Sequence, residues 1–326
     1  MALDGLNGAR VLVTGASGFI GSHLTRRLVS EGADVHALTS AVSAVYPLRL
    51  VDLRGSITLH EGSLADRTAM QNLARRAKPD YVFHLGAYTH VLKSWSRIDE
   101  CVQTNVAGTV NLLQALAESG YRRFVSVGTS EIYGDVPVPF LETEPVNPIS
   151  PYAVAKHAAE RFCQIFADAY GWPIVMLRPF NAYGPAQSPD RIVPEIIVSA
   201  LRGNVLLMTE GRQTREMNYV EDLIDGFILA AVTTGVEGEV FNVGSGEEVS
   251  MADLARTVLG LMGDPVKARL GALPERPTEI PRMRSDSSKA RKVLGWEPRH
   301  TLAAGLAKTI AWYRAELERA GSPFVT

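Results

Sequence analysis

The sequence predicts an α/β chain: a doubly wound parallel sheet with a smaller, interwoven α/β lobe. Three observations point there. Short apolar runs alternate with helical stretches as far as Arg178. A glycine-rich turn, Gly15 to Gly21, follows the first of those runs at once. Beyond Arg178 the alternation gives way to segments rich in Pro, Gly and Asn. The second lobe is therefore woven from separate pieces rather than strung behind the first.

The elements follow in order. Residues 10–14 read as a buried strand, and a helical stretch through residues 23–28 stops at Gly32. Residues 34–38 form the next strand, which completes a parallel βαβ unit. Strands at 57–60, 81–85, 124–127 and 174–177 then alternate with helices at 68–77, 101–119 and 152–170. The last of these helices is capped by Ser150, carries Pro151 in its first turn and is closed by Gly171. Residues 180–191 read as a loop and 193–202 as a helix. Residues 218–220 lead into a helix through about Thr233, and 240–243 return as a strand. A helix capped by Ser250 runs to Leu261, residues 267–286 read as coil, and 288–294 and 302–319 as helices. The expected division is 1–180 with 217–244 for the sheet lobe, and 181–216 with 245–326 for the other.

Composition bounds the function. A chain of 326 residues, 46% hydrophobic and 21% charged, has the size and balance of a soluble protein with a large core. A net charge of −2 gives no electrostatic case for nucleic acid or an anionic membrane. Two cysteines, Cys101 and Cys163, make neither a disulfide framework nor a metal site; both read as buried apolar thiols. The first residues include Asp4 and no apolar core of a signal peptide, and no run is long enough to span a bilayer. A cytoplasmic location is expected.

Two motifs carry chemistry. In the glycine turn, Gly15 permits the sharp exit from the strand and Gly18 lets backbone approach a pyrophosphate. Gly21 lets the helix pack on the sheet, with its N-terminus facing the anion. Ser17, Phe19 and Ile20 share that turn. The end of the second strand, where an NAD site places an acid for the ribose hydroxyls, holds Thr39 and Ser40; NAD and NADP both stay open. The second motif is Tyr152 and Lys156, four apart on one helix face. An ammonium beside a phenol favours the phenolate, which makes a proton acceptor near neutral pH.

The G-x-x-G-x-x-G spacing together with Tyr152 and Lys156 resembles the short-chain dehydrogenase/reductase superfamily. The length looks like its extended branch, the NAD-dependent epimerase/dehydratase family of nucleotide-sugar enzymes. The resemblance implies a Rossmann lobe holding a tightly bound NAD or NADP that is regenerated in each turnover. It places Ser63 and Leu64 near the adenine, where the family often has an Asp, and Leu85, Gly86 and Ala87 along the cofactor. It implies that Thr129 hydrogen-bonds the reacting hydroxyl, with His90, Ser130, Asn181, Arg191, Arg215 and Arg276 around the sugar and diphosphate. Glu131 is the discriminating residue. The 4,6-dehydratases of the family use a carboxylate there to take the C5 proton, and 4-epimerases generally lack it. Thr129-Ser130-Glu131 is similar to GDP-mannose 4,6-dehydratases and UDP-glucuronate decarboxylases, whereas dTDP-glucose dehydratases have an Asp where Ser130 stands. The resemblance thus implies a nucleotide-diphosphate-hexose 4,6-dehydratase, with a 4-epimerase, a hexuronate decarboxylase or a 4-ketoreductase as alternatives. A redox sensor that binds dinucleotide without turnover is the alternative of another class. Homodimerisation through a four-helix bundle is the family's usual assembly, and 101–119 with 152–170 are its candidate helices.

Overall fold

The computed structural model describes residues 5–40, 49–275, 278–319 and 324. The strands are β1 (Arg10–Thr14), β2 (Asp34–Thr39), β3 (Ile57–Glu61), β4 (Tyr81–His84), β5 (Arg123–Val127) and β6 (Ile174–Pro179), then β7 (Asn181–Tyr183), β8 (Leu206–Leu207), β9 (Thr214–Tyr219), β10 (Val240–Val243), β11 (Glu248–Ser250) and β12 (Ala268–Arg269). Seven of them form one sheet in the order β10-β6-β5-β4-β1-β2-β3. Every pairing in it is parallel. Every residue of β4 and β5 is buried, as central strands covered on both faces require. Edge strand β3 is mostly exposed, which explains its weak apolar pattern.

Side chains alternate between the two faces with the pleat. Val11, Val13, Val125 and Leu177 pack under α1 (Phe19–Ser30) together with Leu223 and Phe227. Leu12, Val82, Phe124 and Met176 pack on the other side with α2 (Arg67–Ala77), and with α3 (98–115) and α4 (Pro151–Tyr170). The chain winds from β1 to β3, then returns to lay β4 on the far side of β1. The strand order therefore reverses between β1 and β4, and a crevice opens at their C-terminal ends.

Three sequence expectations need correction. The helix expected at 101–119 starts at Ile98, is interrupted by a π-turn at Gln103–Ala107, and ends at Ala115. The wider turn places Asn105 against the loop after β4: its side chain accepts the Tyr88 N–H at 2.7 Å and donates to the Tyr88 carbonyl at 3.1 Å. The segment expected as loop at 180–191 contains β7, whose partner β9 lies more than thirty residues on, Asn181 facing Met217. The segment expected as coil at 267–286 contains β12, paired with β8. Both strands are too short to show a period of their own.

The remaining elements surround a second core. The three-stranded sheet β11-β9-β7 and the pair β12-β8 carry α5 (Ile192–Leu201) with its buried Val193, Ile196 and Ile197. Also packed there are α7 (Met251–Leu261), after α6 (Val220–Val232) has returned to the large sheet, and α8 (Leu302–Glu318). A division drawn at 216/217 falls inside β9.

Candidate active site

The glycine turn is built as its spacing implies. Gly15 has φ +69°, and a Cβ there would lie 2.8 Å from the Gly86 nitrogen. A Cβ on Gly21 would lie 2.1 Å from the Gly15 carbonyl oxygen, so the helix can start only with glycine at that place. Gly18 is the N-cap of α1, and among the described residues no side chain caps the helix. Its first N–H groups therefore face the crevice available to an anion. The ends of β1 and β4 are tied beneath the turn. Thr14 Oγ1 accepts the Gly86 N–H at 3.0 Å and bonds His84 Nδ1 at 2.8 Å, while His84 Nε2 meets Thr109 Oγ1 at 2.9 Å. Burial holds the His84 imidazole at a pKa of about 3, so it is neutral and orients the strand ends.

A cavity of about 1190 Å³ runs from this turn along the C-terminal ends of the sheet. Ser17, Phe19, Ile20, Thr39, Ser40, Ser63, Leu64, Leu85, Gly86 and Ala87 line its first part. The uncapped helix start, the close approach at Gly15 and the absence of a side chain at Gly18 fit a dinucleotide pyrophosphate there. Farther along stand Thr129, Ser130, Glu131, Tyr152 and Lys156.

Tyr152 and Lys156 are each 8% exposed. Lys156 donates from Nζ to the Val127 carbonyl at 2.6 Å, which ties α4 to the end of β5. Burial pushes its ammonium down to about 8. Burial also pushes the Tyr152 phenol up to about 12; a hydrogen bond with Thr129 opposes that shift and the charge of Glu131 adds to it. The expectation that Lys156 by itself lowers the phenol pKa is thus corrected. Desolvation outweighs the ammonium, which is directed at a backbone carbonyl. Thr129 caps the short turn Ser130–Tyr133 by accepting the Glu131 N–H at 3.3 Å, so hydroxyl and carboxylate are presented from one turn at the end of β5. Ser130 is 3% exposed and lines the same cavity.

The far part of the cavity is lined by His90, Asn181, Arg191 and Arg215. His90 and Arg191 both approach Asp190, at 3.8 and 3.9 Å. The Arg215 guanidinium is engaged with Glu279 and with the Thr214 and Ile280 carbonyls, each at 2.8 Å. Arg276 lies outside the described residues. Leu206, Met208, Gln213, Met217 and Met251 also line this part and were not marked by any motif. For Leu206 and Met208 the apolar run at 205–208 was the signal, too short to assign. Cys101 and Cys163 are buried, and burial raises both thiols, Cys163 to about 11, in keeping with an unreactive role.

Comparison with known proteins gives a consistent set. The model of the NAD-dependent epimerase/dehydratase family matches residues 11–244. The dTDP-D-glucose 4,6-dehydratase of Mus musculus is 33% identical over 97% of this chain and 93% of its own. The UDP-glucose 4-epimerase of Mycolicibacterium smegmatis is 34% identical over 94% of this chain and 98% of its own. The crystal structure of a dTDP-glucose 4,6-dehydratase from Streptomyces venezuelae, solved with NAD bound, superposes with a TM-score of 0.87 at 30% identity, covering 95% of this chain and 98% of that one.

Proposed function

Because the chain belongs to the NAD-dependent epimerase/dehydratase family, we propose that it is a nucleotide-diphosphate-hexose 4,6-dehydratase. The observation that carries this reading is Glu131. It sits on the same turn as Thr129, lines the cavity beside Tyr152, and its charge acts on the Tyr152 phenol. A nicotinamide dinucleotide bound on the glycine turn supplies hydride acceptance at C4 of the hexose and hydride return at C6. Tyr152 takes the C4 hydroxyl proton, with Thr129 holding that hydroxyl and Lys156 supplying positive charge close by. The ketone at C4 acidifies C5–H, and Glu131 removes that proton. One of the two protons taken leaves with the C6 hydroxyl as water, and the other is returned at C5. Ser130 carries no acidic proton, so Glu131 serves as both base and acid. His90, Asn181 and Arg191 bind the sugar and diphosphate; Arg215 joins them when Glu279 yields its guanidinium.

A 4-epimerase is the second reading, favoured by Ser130. Epimerisation needs no acid at that place, and the 34% identical relative is a UDP-glucose 4-epimerase. Product mass separates the two. Incubation with dTDP-glucose, UDP-glucose and GDP-mannose should give loss of one water from one of them; unchanged mass with altered configuration would favour epimerisation. Glu131→Gln should abolish dehydration, and a fully active variant refutes the elimination scheme.

The assembly is a homodimer through α3 and α4 of each copy. Val102, Val154 and Ile165 on these helices are 41%, 52% and 49% exposed, an apolar strip that a second copy would cover. Two reduced, buried thiols suit a cytoplasmic setting.

A further inference from the structure

We infer that Tyr133, with Arg178 and Glu160 behind it, is a positioning device: it fixes the turn that presents Glu131 against the helix that presents Tyr152, and so couples proton removal at C5 to hydride transfer at C4. The inference rests on the dehydratase reading above and concerns residues that reading does not use.

The first observation is a continuous path of contacts from one proton acceptor to the other. Glu131 and Tyr133 share the short turn Ser130–Tyr133 at the end of β5. Tyr133 is fully buried. Its hydroxyl accepts from Arg178 Nη1 at 2.7 Å and donates to Asn242 Oδ1 at 2.8 Å, which ties the turn to β6 and β10. The Arg178 guanidinium also lies over the Tyr133 ring, its Cζ 5.0 Å from the centroid. Nε and Nη2 of the same guanidinium donate to the two Glu160 oxygens. Glu160 follows Tyr152 and Lys156 at intervals of four, on the same buried face of α4.

The second observation is that Glu160 touches both ends of this path. Gly128 immediately precedes Thr129, and a Cβ there would lie 3.3 Å from Glu160 Oε2, so the carboxylate sits directly under the start of the turn. Burial lowers the pKa of the Lys156 ammonium, and the charge of Glu160 opposes that shift. The other anchors of the turn lead elsewhere. The Ile132 carbonyl accepts the Asn147 N–H at 3.0 Å, and Gly134 packs on the Asn147 carbonyl. They hold the turn to the loop that follows it, whereas the Tyr133 hydroxyl holds it to α4 through Arg178. Such a tie matters because the two acceptors act on neighbouring carbons. Glu131 must meet C5–H in the geometry in which Tyr152 meets the C4 hydroxyl, and a displacement of about 1 Å can cost about 10²-fold in rate.

The test follows the two partial reactions of the full chain, with its dinucleotide bound and with the nucleotide sugar that the wild-type chain dehydrates. Nicotinamide absorbance after rapid mixing reports hydride transfer from C4. Deuterium incorporation at C5 in deuterium oxide reports removal of that proton. Tyr133→Phe should slow the C5 step roughly tenfold or more, while hydride transfer and KM each change by less than about threefold. Arg178→Lys keeps a cation for Glu160 but loses the fork that also reaches Tyr133, and it should show the same split. It decides the matter if Tyr133→Phe melts below the assay temperature. Glu131→Asp, which itself shifts the carboxylate, should combine with Tyr133→Phe to less than the product of their separate effects on the C5 step. Equal slowing of both steps, or full additivity with Glu131→Asp, overturns the inference and leaves Tyr133 a packing residue. A wild-type chain that dehydrates none of dTDP-glucose, UDP-glucose and GDP-mannose overturns the dehydratase reading, and this role with it.

Discussion

A phenol buried as deeply as Tyr152 keeps its proton at neutral pH, and burial raises it to about 12. Proton transfer to it therefore needs positive charge brought close, from the Lys156 ammonium and from the oxidised nicotinamide ring. Tyr152→Phe should lower kcat by about 10² to 10⁴-fold with little change in the unfolding midpoint, measured by turnover and thermal melting. Undiminished turnover would remove the redox reading. On the proposed mechanism Lys156 sets the alkaline limit. Its pKa is lowered to about 8, so its charge is lost as pH rises through that value, and kcat should fall there. A profile flat across that region would show that the charge plays no part. Folding runs the other way. The unfolded lysine keeps its proton to higher pH, so this residue's contribution to stability rises from about 8 up to its ordinary value of 10.5. Spacing, read in its strand and helix context, marked Tyr152, Lys156 and the three glycines as candidates. It could not show the Arg215–Glu279 pair, because the partners are 64 residues apart and meet only through folding.

Among the elements, β6, α4 and the Ser130–Tyr133 turn meet at one buried ion pair. Arg178 donates to both Glu160 oxygens at 3.0 and 2.7 Å, and to the Tyr133 hydroxyl at 2.7 Å. The pair locks the helix that carries Tyr152 to the strand after it, directly behind the Thr129 turn. Glu160→Ala leaves a buried guanidinium uncompensated and should destabilise by about 3–5 kcal/mol in urea unfolding. Glu160→Met with Arg178→Met should recover much of that loss; if the double variant is the worse one, the pair is net stabilising and this account of it is wrong. The central strands were readable because burial on both faces leaves continuous apolar runs. The π-turn at Gln103–Ala107 was not, since its cause is Asn105 answering the Tyr88 backbone. The same holds for β7, β8 and β12, whose partners lie far along the chain.

For the whole molecule, pH and assembly give two checks. His84 is neutral in the fold with a pKa of about 3, while the unfolded side chain takes a proton near 6.5. Its contribution is complete above 6.5 and is lost as pH falls toward 3, by about 1.4 kcal/mol for each pH unit. Acid unfolding of His84→Gln should be shallower by one proton in that window; an unchanged slope would mean that His84 charges inside the fold. Val154→Glu with Ile165→Glu should convert a dimer to monomer in sedimentation, and a wild-type monomer would refute the bundle. The path of the chain has a further consequence. It leaves the large sheet after Pro179, returns for α6 and β10, and leaves again after Val243. Each lobe is thus discontinuous in the gene, and no single recombination point can exchange one substrate lobe for another. Exchanging the second lobe would take several crossovers at once, whereas point changes and loop-length changes between fixed strands need none. That leaves the hydride-transfer geometry intact while the lineage diversifies around it.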